Sequence, residues 1–325
     1  MNKILVYDTS IASANTGDSI IMDAVYRELT SIFENDYLIN VPTHIGLKLN
    51  DQRKLNRDCD TVIVGGSNLL SSNMNDYNQW RINMTDSLFL KKAILLGVGW
   101  WQYQEPPNLY TRTLLKRVLS KNLIHSVRDE YTEIKLKHIG FENVLNTGCP
   151  TLWKLTVDHC EEITEKKSGS VVFTLTDYNK DTKNDLSMID TLLKNYSHIH
   201  FWPQGSGDLS YLKSINKLEN INVLGNTLTD FDELLNNTEG LDYIGTRLHG
   251  GIRALQRKRR TIIISIDNRA KEMGKNYNLP VIEREQVSDL DDLINSKMEI
   301  RIKLPVDAIN SWRNQFDAIN SVVEK

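Results

Sequence analysis

DYIGTRLHGGIRALQRKRRTIIISI, residues Asp242 to Ile266, is the stretch on which the fold turns. An apolar run, Tyr243–Gly245, stops at a polar corner. A glycine pair then enters a helical pattern over His249–Arg257, and a second apolar run, Thr261–Ile266, follows. Strand, helix and strand in so short a span read as a βαβ unit, whose two strands run parallel.

The same rhythm extends in both directions. Upstream lie strand-like Val171–Leu175, Ile199–Trp202 and Asn222–Leu224, with helical patterns at Asp185–Asn195, Asp208–Lys217 and Asp230–Asn236; Arg269–Asn278 is a further helix. The first half repeats it. Strand-like runs are Lys3–Tyr7, Tyr37–Val41, Thr61–Val64, Ala93–Val98, Leu123–Val127 and Asn143–Asn146. Helical spacing appears at Asp18–Phe33, with Asp18 placed as its cap, and at Leu109–Leu119 and Glu130–Ile139. Between the halves, about Thr156–Ser170, the chain is polar and charged. These patterns predict two doubly wound, Rossmann-like α/β domains, 1–157 and 168–304, and a last helix, 305–325, crossing back to the first domain. That is a GT-B-like arrangement, with a site expected in a cleft beyond the strands' carboxyl ends.

Composition is that of a globular enzyme: 325 residues, 40% hydrophobic, 25% charged, net charge -3. Nothing in that balance points to nucleic acid. Three scattered cysteines, Cys59, Cys149 and Cys160, predict a reducing compartment and no disulfide framework. No apolar run approaches the roughly 20 residues that span a bilayer, so the sequence reads as cytoplasmic.

The candidate functional residues fall at strand exits. Asn15-Thr16-Gly17-Asp18 opens the first long helix, where Gly17 permits a tight turn and helix N–H groups suit an anion; a plain helix cap is the alternative. Gly65-Gly66 and Gly97-Val98-Gly99 follow strands and lack a dinucleotide fingerprint. Trp100 and Trp101 extend the second of these exits, as packing or sugar-stacking residues. Ser126-Val127-Arg128-Asp129 offers a guanidinium to phosphate or carboxylate, or else a surface ion pair of little consequence. Cys149, in Thr147-Gly148-Cys149-Pro150-Thr151, reads as a buried cysteine rather than a nucleophile. The densest signal is Gly245-Thr246-Arg247-Leu248-His249-Gly250-Gly251. Arg247 can fix an anion, His249 can move a proton near neutral pH, and the glycines leave room for a ligand. The basic run after it, Arg253, Arg257, Lys258, Arg259 and Arg260, reads as a solvated helix end, or as a guide for an anionic acceptor or lipid. No residues show metal-ligand spacing; His198 and His200 share a strand face without a carboxylate partner.

Taken in order, Asn15-Thr16-Gly17-Asp18, Val64-Gly65-Gly66, Leu96-Gly97-Val98-Gly99, Ser126-Val127-Arg128-Asp129, Gly148-Cys149-Pro150-Thr151 and Gly245-Thr246-Arg247-Leu248-His249-Gly250 resemble the polysaccharide pyruvyl transferase family over about residues 15 to 280. The resemblance implies a GT-B-like fold and transfer of a pyruvyl group from phosphoenolpyruvate to a sugar of a cell-surface polysaccharide, as a ketal. It implies His249 as the catalytic acid and base, and Arg128, Arg247 and the Leu248 backbone at the donor. Asn15, Gly17, Asp18 and Gly66 are then further substrate-binding positions. No cofactor or metal is implied. The acceptor sugar is lipid- or nucleotide-linked, which puts the inner face of the membrane among the expected locations. Ser265-Ile266-Asp267-Asn268-Arg269 stands where relatives carry a polar loop with a lysine, and departs from it.

Two other readings stand beside this one. A GT-B glycosyltransferase would need a nucleotide site in the second domain, and Glu283 is the residue placed to hold its ribose. A sugar-binding relative without activity is the third, against which the intact Arg247 and His249 argue.

Overall fold

The computed structural model describes residues 1–323. Its chain divides into two compact units, one of Met1–Ser13, Ile21–Pro150 and Leu304–Lys325, the other of Ala14–Ile20 and Thr151–Lys303. The segment Ala14–Ile20 therefore groups with the second unit although it lies early in the chain.

In the first unit the elements are β1 (Lys3–Asp8), α1 (Thr16–Ile32, whose opening turn belongs to the other unit), β2 (Tyr37–Pro42), α2 (Leu49–Asp58), β3 (Thr61–Gly65), β4 (Ile94–Leu96), α3 (Leu109–Val118), β5 (His125–Val127), α4 (Glu130–Ile139) and β6 (Val144–Asn146). The strands β2-β1-β3-β4 form a parallel sheet. A parallel bridge from Val98 to Val127 carries it on to the pair β5-β6. Strands buried on both faces require apolar runs, and Leu5, Val62, Val64 and Leu95 supply them beneath Leu115, Leu136, Trp80 and Trp100.

The second unit contains α5 (Val157–Glu161), β7 (Ser170–Thr174), α6 (Thr182–Asn195), β8 (His198–Phe201), α7 (Asp208–Ser214), β9 (Ile221–Val223), α8 (Leu228–Asn237), β10 (Leu241–Gly245), α9 (Leu248–Gln256), β11 (Thr261–Ser265), α10 (Asn268–Tyr277), β12 (Val281–Glu283) and α11 (Leu290–Asn295). Its six parallel strands run β12-β11-β10-β7-β8-β9. This is the doubly wound Rossmann order, in which the chain reverses direction across the sheet between β7 and β10. The opening βαβ reading is met by β10, α9 and β11, whose register pairs Tyr243 with Thr261 and Gly245 with Ile263.

The final helix, α12 (Val306–Val323), packs on the first unit: Phe316 meets Phe33 edge-on at 5.1 Å, the Trp312 indole donates to the Leu95 carbonyl (3.2 Å), and Gln315 pairs with the Ile124 backbone. It is the cross-back helix expected from the sequence.

Several expectations are corrected. The cap of α1 is Asn15, whose Oδ1 accepts the Gly17 N–H at 3.0 Å, and Asp18 sits inside the first turn. The packing reading of the two tryptophans holds: Trp101 stacks on Tyr77 and Trp100 is fully buried. The basic run is only partly solvated: Lys258 pairs with Glu162 on the surface, but Arg253 and Arg257 share Asp232, and Arg260, 1% exposed, pairs with Asp242 while donating to three carbonyls around Leu293–Ser296. No described helix is long and apolar enough to cross a membrane.

Candidate functional site

The reversal between β7 and β10 is where an open parallel sheet leaves a crevice beyond its strand ends. Arg247 stands there, capping α9 with its backbone, and no side chain caps that helix. A closed ring of hydrogen bonds fixes its main chain. The Arg247 N–H donates to the Thr174 hydroxyl (3.2 Å), Thr174 bonds the Tyr243 hydroxyl (2.7 Å), and Tyr243 donates to the Arg247 carbonyl (2.7 Å). Burial holds the Tyr243 phenol far above its ordinary pKa, so it stays a donor.

The guanidinium is buried among carboxylates. Arg247 Nε donates to Asp208 Oδ2 (2.9 Å) and to the Leu175 carbonyl (3.1 Å), and Nη2 donates to Asp208 and to Asp177 Oδ1 (3.1 Å). Asp208 is fully buried; desolvation raises its carboxyl above the usual range, opposed by Arg247 and by the Gly205 N–H. The Tyr178 ring lies 5.1 Å from the same guanidinium. Arg247 Nη1 has no hydrogen-bond partner among the described residues.

Leu248 and His249 are the first two residues of α9, both buried. The glycines around them serve packing, contrary to the expectation that they leave room for a ligand. A Cβ on Gly250 would stand 2.9 Å from the Tyr243 hydroxyl, and one on Gly251 would stand 2.5 Å from Ile263. They let α9 lie close on the sheet. Gly205 is the counterpart after β8: a side chain there would strike Arg247 Nη2 at 2.2 Å.

Asn15 and Gly17 join this site. Residues 14–16 pair antiparallel with 204–206, through Thr16 N–H to the Gln204 carbonyl (2.9 Å) and Ser206 N–H to the Ala14 carbonyl (3.1 Å). Gln204 Nε2 donates to Asn15 Oδ1 (2.9 Å), while Gln204 Oε1 is buried without a partner. Gly17 is helical, and its missing side chain makes room for Gln204, 2.6 Å from where a Cβ would be. It is a packing glycine, not a turn. Asp18 is buried in the same turn.

Arg128 and Gly66 belong to the first unit. Arg128 is 1% exposed, pairs with Asp129 (3.2 Å), and donates to Asn68. Neither partner of the pair is on the surface. Gly99 exists for it, because a Cβ there would lie 2.4 Å from Arg128 Cζ. Gly66 adopts φ +58 and leaves space for Ile21, whose Cγ2 would meet a Cβ at 2.1 Å. Glu283 ends β12 in an ion pair with Lys271 (2.6 Å). Cys149 is buried. Among the described residues no group of three or more His, Cys, Asp or Glu is placed to hold a metal ion.

Reading the sequence missed Asp208, Asp177, Thr174, Tyr243 and Gln204. The glycines at 205 and 207, directly after a strand, were the available signal for the β8 exit.

No curated protein matches the chain. Among solved structures, Staphylococcus aureus MnaA bound to UDP aligns with TM-score 0.53 at 12% identity, covering 92% of each chain. A UDP-N-acetylglucosamine 2-epimerase aligns with TM-score 0.51 at 11% identity, over 97% of this chain and 90% of the other. At such identity the likeness establishes the fold, two Rossmann-like units of the GT-B-like class. The polysaccharide pyruvyl transferase profile matches residues 15–268, which runs from Asn15 through Arg128 and His249 to Asn268. With the match covering most of its length, the chain belongs to the polysaccharide pyruvyl transferase family.

Proposed function

We propose that this protein transfers the pyruvyl group of phosphoenolpyruvate to two hydroxyls of one sugar, as a ketal, during cell-surface polysaccharide synthesis. The observation that carries the reading is the placement of Arg247 and His249 at the uncapped start of α9, at the reversal point of the sheet. A phosphorylated carboxylic acid needs cationic and N–H donors, and a helix start beside a guanidinium provides both.

In this reading Arg247 Nη1 and the first N–H groups of α9 hold the donor's negative oxygens. One sugar hydroxyl adds to C2 of the donor while C3 gains a proton, and His249 is the group that moves it. The C2–O bond to phosphate then breaks. The second hydroxyl closes on C2, and its proton leaves with the released phosphate. The chemistry asks for proton transfer and anion stabilisation, both available from side chains, so turnover in excess EDTA is expected to match that without it.

Calorimetric titration with phosphoenolpyruvate, and in parallel with a panel of UDP-sugars, tests the donor. Binding of phosphoenolpyruvate that is lost in Arg247→Ala supports the proposal. Binding of a UDP-sugar with indifference to phosphoenolpyruvate would replace it with the glycosyltransferase reading.

A further inference from the structure

The outward face of α2 is cationic. At about 100° per residue, Leu49, Arg53, Arg57, Asn50 and Lys54 follow one another around one arc of the helix, and all five are exposed. Gln52 and Asn56 are buried on the inward side. The arc itself holds no acid. Asp51 and Asp58 stand beyond its Lys54 edge, Asp58 in a surface pair with Arg57 (2.8 Å). The Arg53 guanidinium lies over the Phe89 ring, 4.8 Å from its centroid. Asn50, Arg53, Lys54, Arg57 and Phe89 together line an open hollow of about 370 Å³.

Exposed apolar side chains border this arc. Leu49 is 39% exposed, and Ile45, four residues earlier, is 52% exposed. Leu88, 66% exposed, ends a short 3₁₀ turn (Asp86–Leu88) and directly precedes Phe89 of the hollow. The Lys91 N–H donates to Asn56 Oδ1 (2.9 Å) and ties that segment to α2. Lys48, Lys91 and Lys92, all exposed, extend the charge. The whole chain carries -3, so this is a local excess of cations. β2 runs parallel to β1 and ends at Pro42. Ile45 and Leu49 therefore start the face at the carboxyl end of the first unit's sheet, the end at which open sheets take their ligands.

We infer that this face of α2 docks the protein on an anionic bilayer surface. Cations alone suit any phosphate. Cations interleaved with exposed leucine and isoleucine suit an interface that is negative at its surface and apolar just beneath it. A dissolved phosphate gives Ile45, Leu49 and Leu88 nothing to enter. The basic run after α9 is the weaker candidate, since Asp232, Glu162 and Asp242 take up most of its charge. Docking through α2 brings the carboxyl end of the first sheet to a sugar carried on lipid. The inference goes beyond the proposed reaction and does not depend on it, because binding to vesicles is read without donor or acceptor.

The test is co-sedimentation of the whole chain with vesicles, of phosphatidylcholine alone and of phosphatidylcholine with phosphatidylglycerol in equal parts. The native chain is expected to bind only the anionic vesicles, and less in raised salt. Arg53→Ser with Lys54→Ser is expected to weaken binding about twentyfold, from about fivefold for each cation. Leu88→Ser is expected to weaken it about tenfold, the scale of two buried CH₂ groups. Lys183→Ser with Lys213→Ser removes two exposed cations of the second unit, and is expected to change binding less than about twofold, since screening confines the attraction to the docked face. All these positions are exposed, so the variants are expected to melt with the native chain. Inorganic phosphate is a separate arm. The inference fails if the native chain ignores anionic vesicles, if it binds neutral ones equally, or if the second-unit pair is weakened as much as the α2 pair. It fails too if Leu88→Ser binds as the native chain does; displacement by millimolar phosphate would then make the hollow a small-anion site. Failure of phosphoenolpyruvate to bind the native chain, with the vesicle pattern intact, would instead break the proposed donor and leave the docking face standing.

Discussion

Arg128 after β5 and Arg247 after β10 are both buried arginines at strand exits, yet they are held in contrasting ways. Arg128 pairs with its neighbour in the chain, Asp129, and Asp129 also caps α4 by accepting from the Thr132 N–H (2.8 Å) and hydroxyl (2.6 Å). Arg128 also donates to the neutral amide of Asn68, 60 residues away, but its carboxylate partner is local. Arg247 draws its carboxylates from positions 39 and 70 residues away, at the exits of β8 and β7. It therefore ties three strand exits together at the point where the sheet order reverses. The proposed donor contact at Arg247 rests on this difference.

The largest expected effect follows from that assignment. His249→Gln is expected to lower turnover by about 10²–10⁴-fold, the usual contribution of a general acid or base, with melting and phosphoenolpyruvate affinity near those of the native chain. Single-turnover assay with phosphoenolpyruvate and a competent acceptor reads it. Native-like turnover in the variant would remove the chemistry from α9 and erase the contrast between the two corners.

Asp208→Ala comes next. It leaves the buried Arg247 charge with only the part-exposed Asp177 and is expected to cost about 3 kcal/mol of stability by denaturant titration. Replacing both partners, Arg247→Met with Asp208→Leu, is expected to recover most of that loss, because an apolar pair need not be solvated or matched. The double variant should still fail to bind phosphoenolpyruvate. If it binds as the native chain does, Arg247 is a strut and not a ligand contact.

How much of this was legible beforehand follows the same division. The Ser126-Val127-Arg128-Asp129 corner could be read directly because its partner is the next residue. The parallel sheets could be read because strands buried on both faces must be apolar runs, as Val171–Leu175 and Thr261–Ile266 are. Asp208 and Asp177 gave no such signal, since nothing local couples them to Arg247. α2 was missed because its sequence, Leu49–Asp58, has only Leu49 and Leu55 as apolar residues and buries Gln52 and Asn56 instead of an apolar stripe. β12 was missed because Val281–Glu283 is three residues long. Gly250 and Gly251 were read as ligand space, although tertiary packing against Tyr243 and Ile263 is what requires them.

The first unit should show its own signature in acid. His125 opens β5, is fully buried, and is pushed down to about 4 by desolvation, against a raising bond to the Ser120 carbonyl (2.8 Å). Its Nδ1 accepts the Leu95 N–H (3.2 Å), so a proton placed there would confront another donor. The folded pKa lies below the unfolded one. Stability is thus complete above about pH 6.5 and is lost as pH falls toward 4, by about 3 kcal/mol in all. Denaturant titrations across that range should show a shallower decline in His125→Asn. Equal declines would assign the acid sensitivity to other groups.

The smallest expected effect bears most directly on the Arg247 side of the contrast. Asp177 is partly exposed and shares Arg247 Nη2 with Asp208, so two carboxylates face one guanidinium. Asp208 alone can satisfy the buried charge, being fully enclosed and bonded through both oxygens. Asp177 then adds negative charge where the proposed donor must bring its own. Removing it relieves a repulsion of about 1 kcal/mol at the few-ångström separations and intermediate dielectric of a half-open site. Asp177→Asn keeps the shape and a polar group, and is expected to tighten phosphoenolpyruvate binding about fivefold while changing stability by less than about 1 kcal/mol, as for partly exposed ion pairs generally. Raised salt should narrow the difference between the two proteins, because screening weakens the repulsion being tested. Weaker binding in the variant would show that Asp177 aims the guanidinium at the donor, and that Arg247 depends on all three strand exits rather than on Asp208 alone.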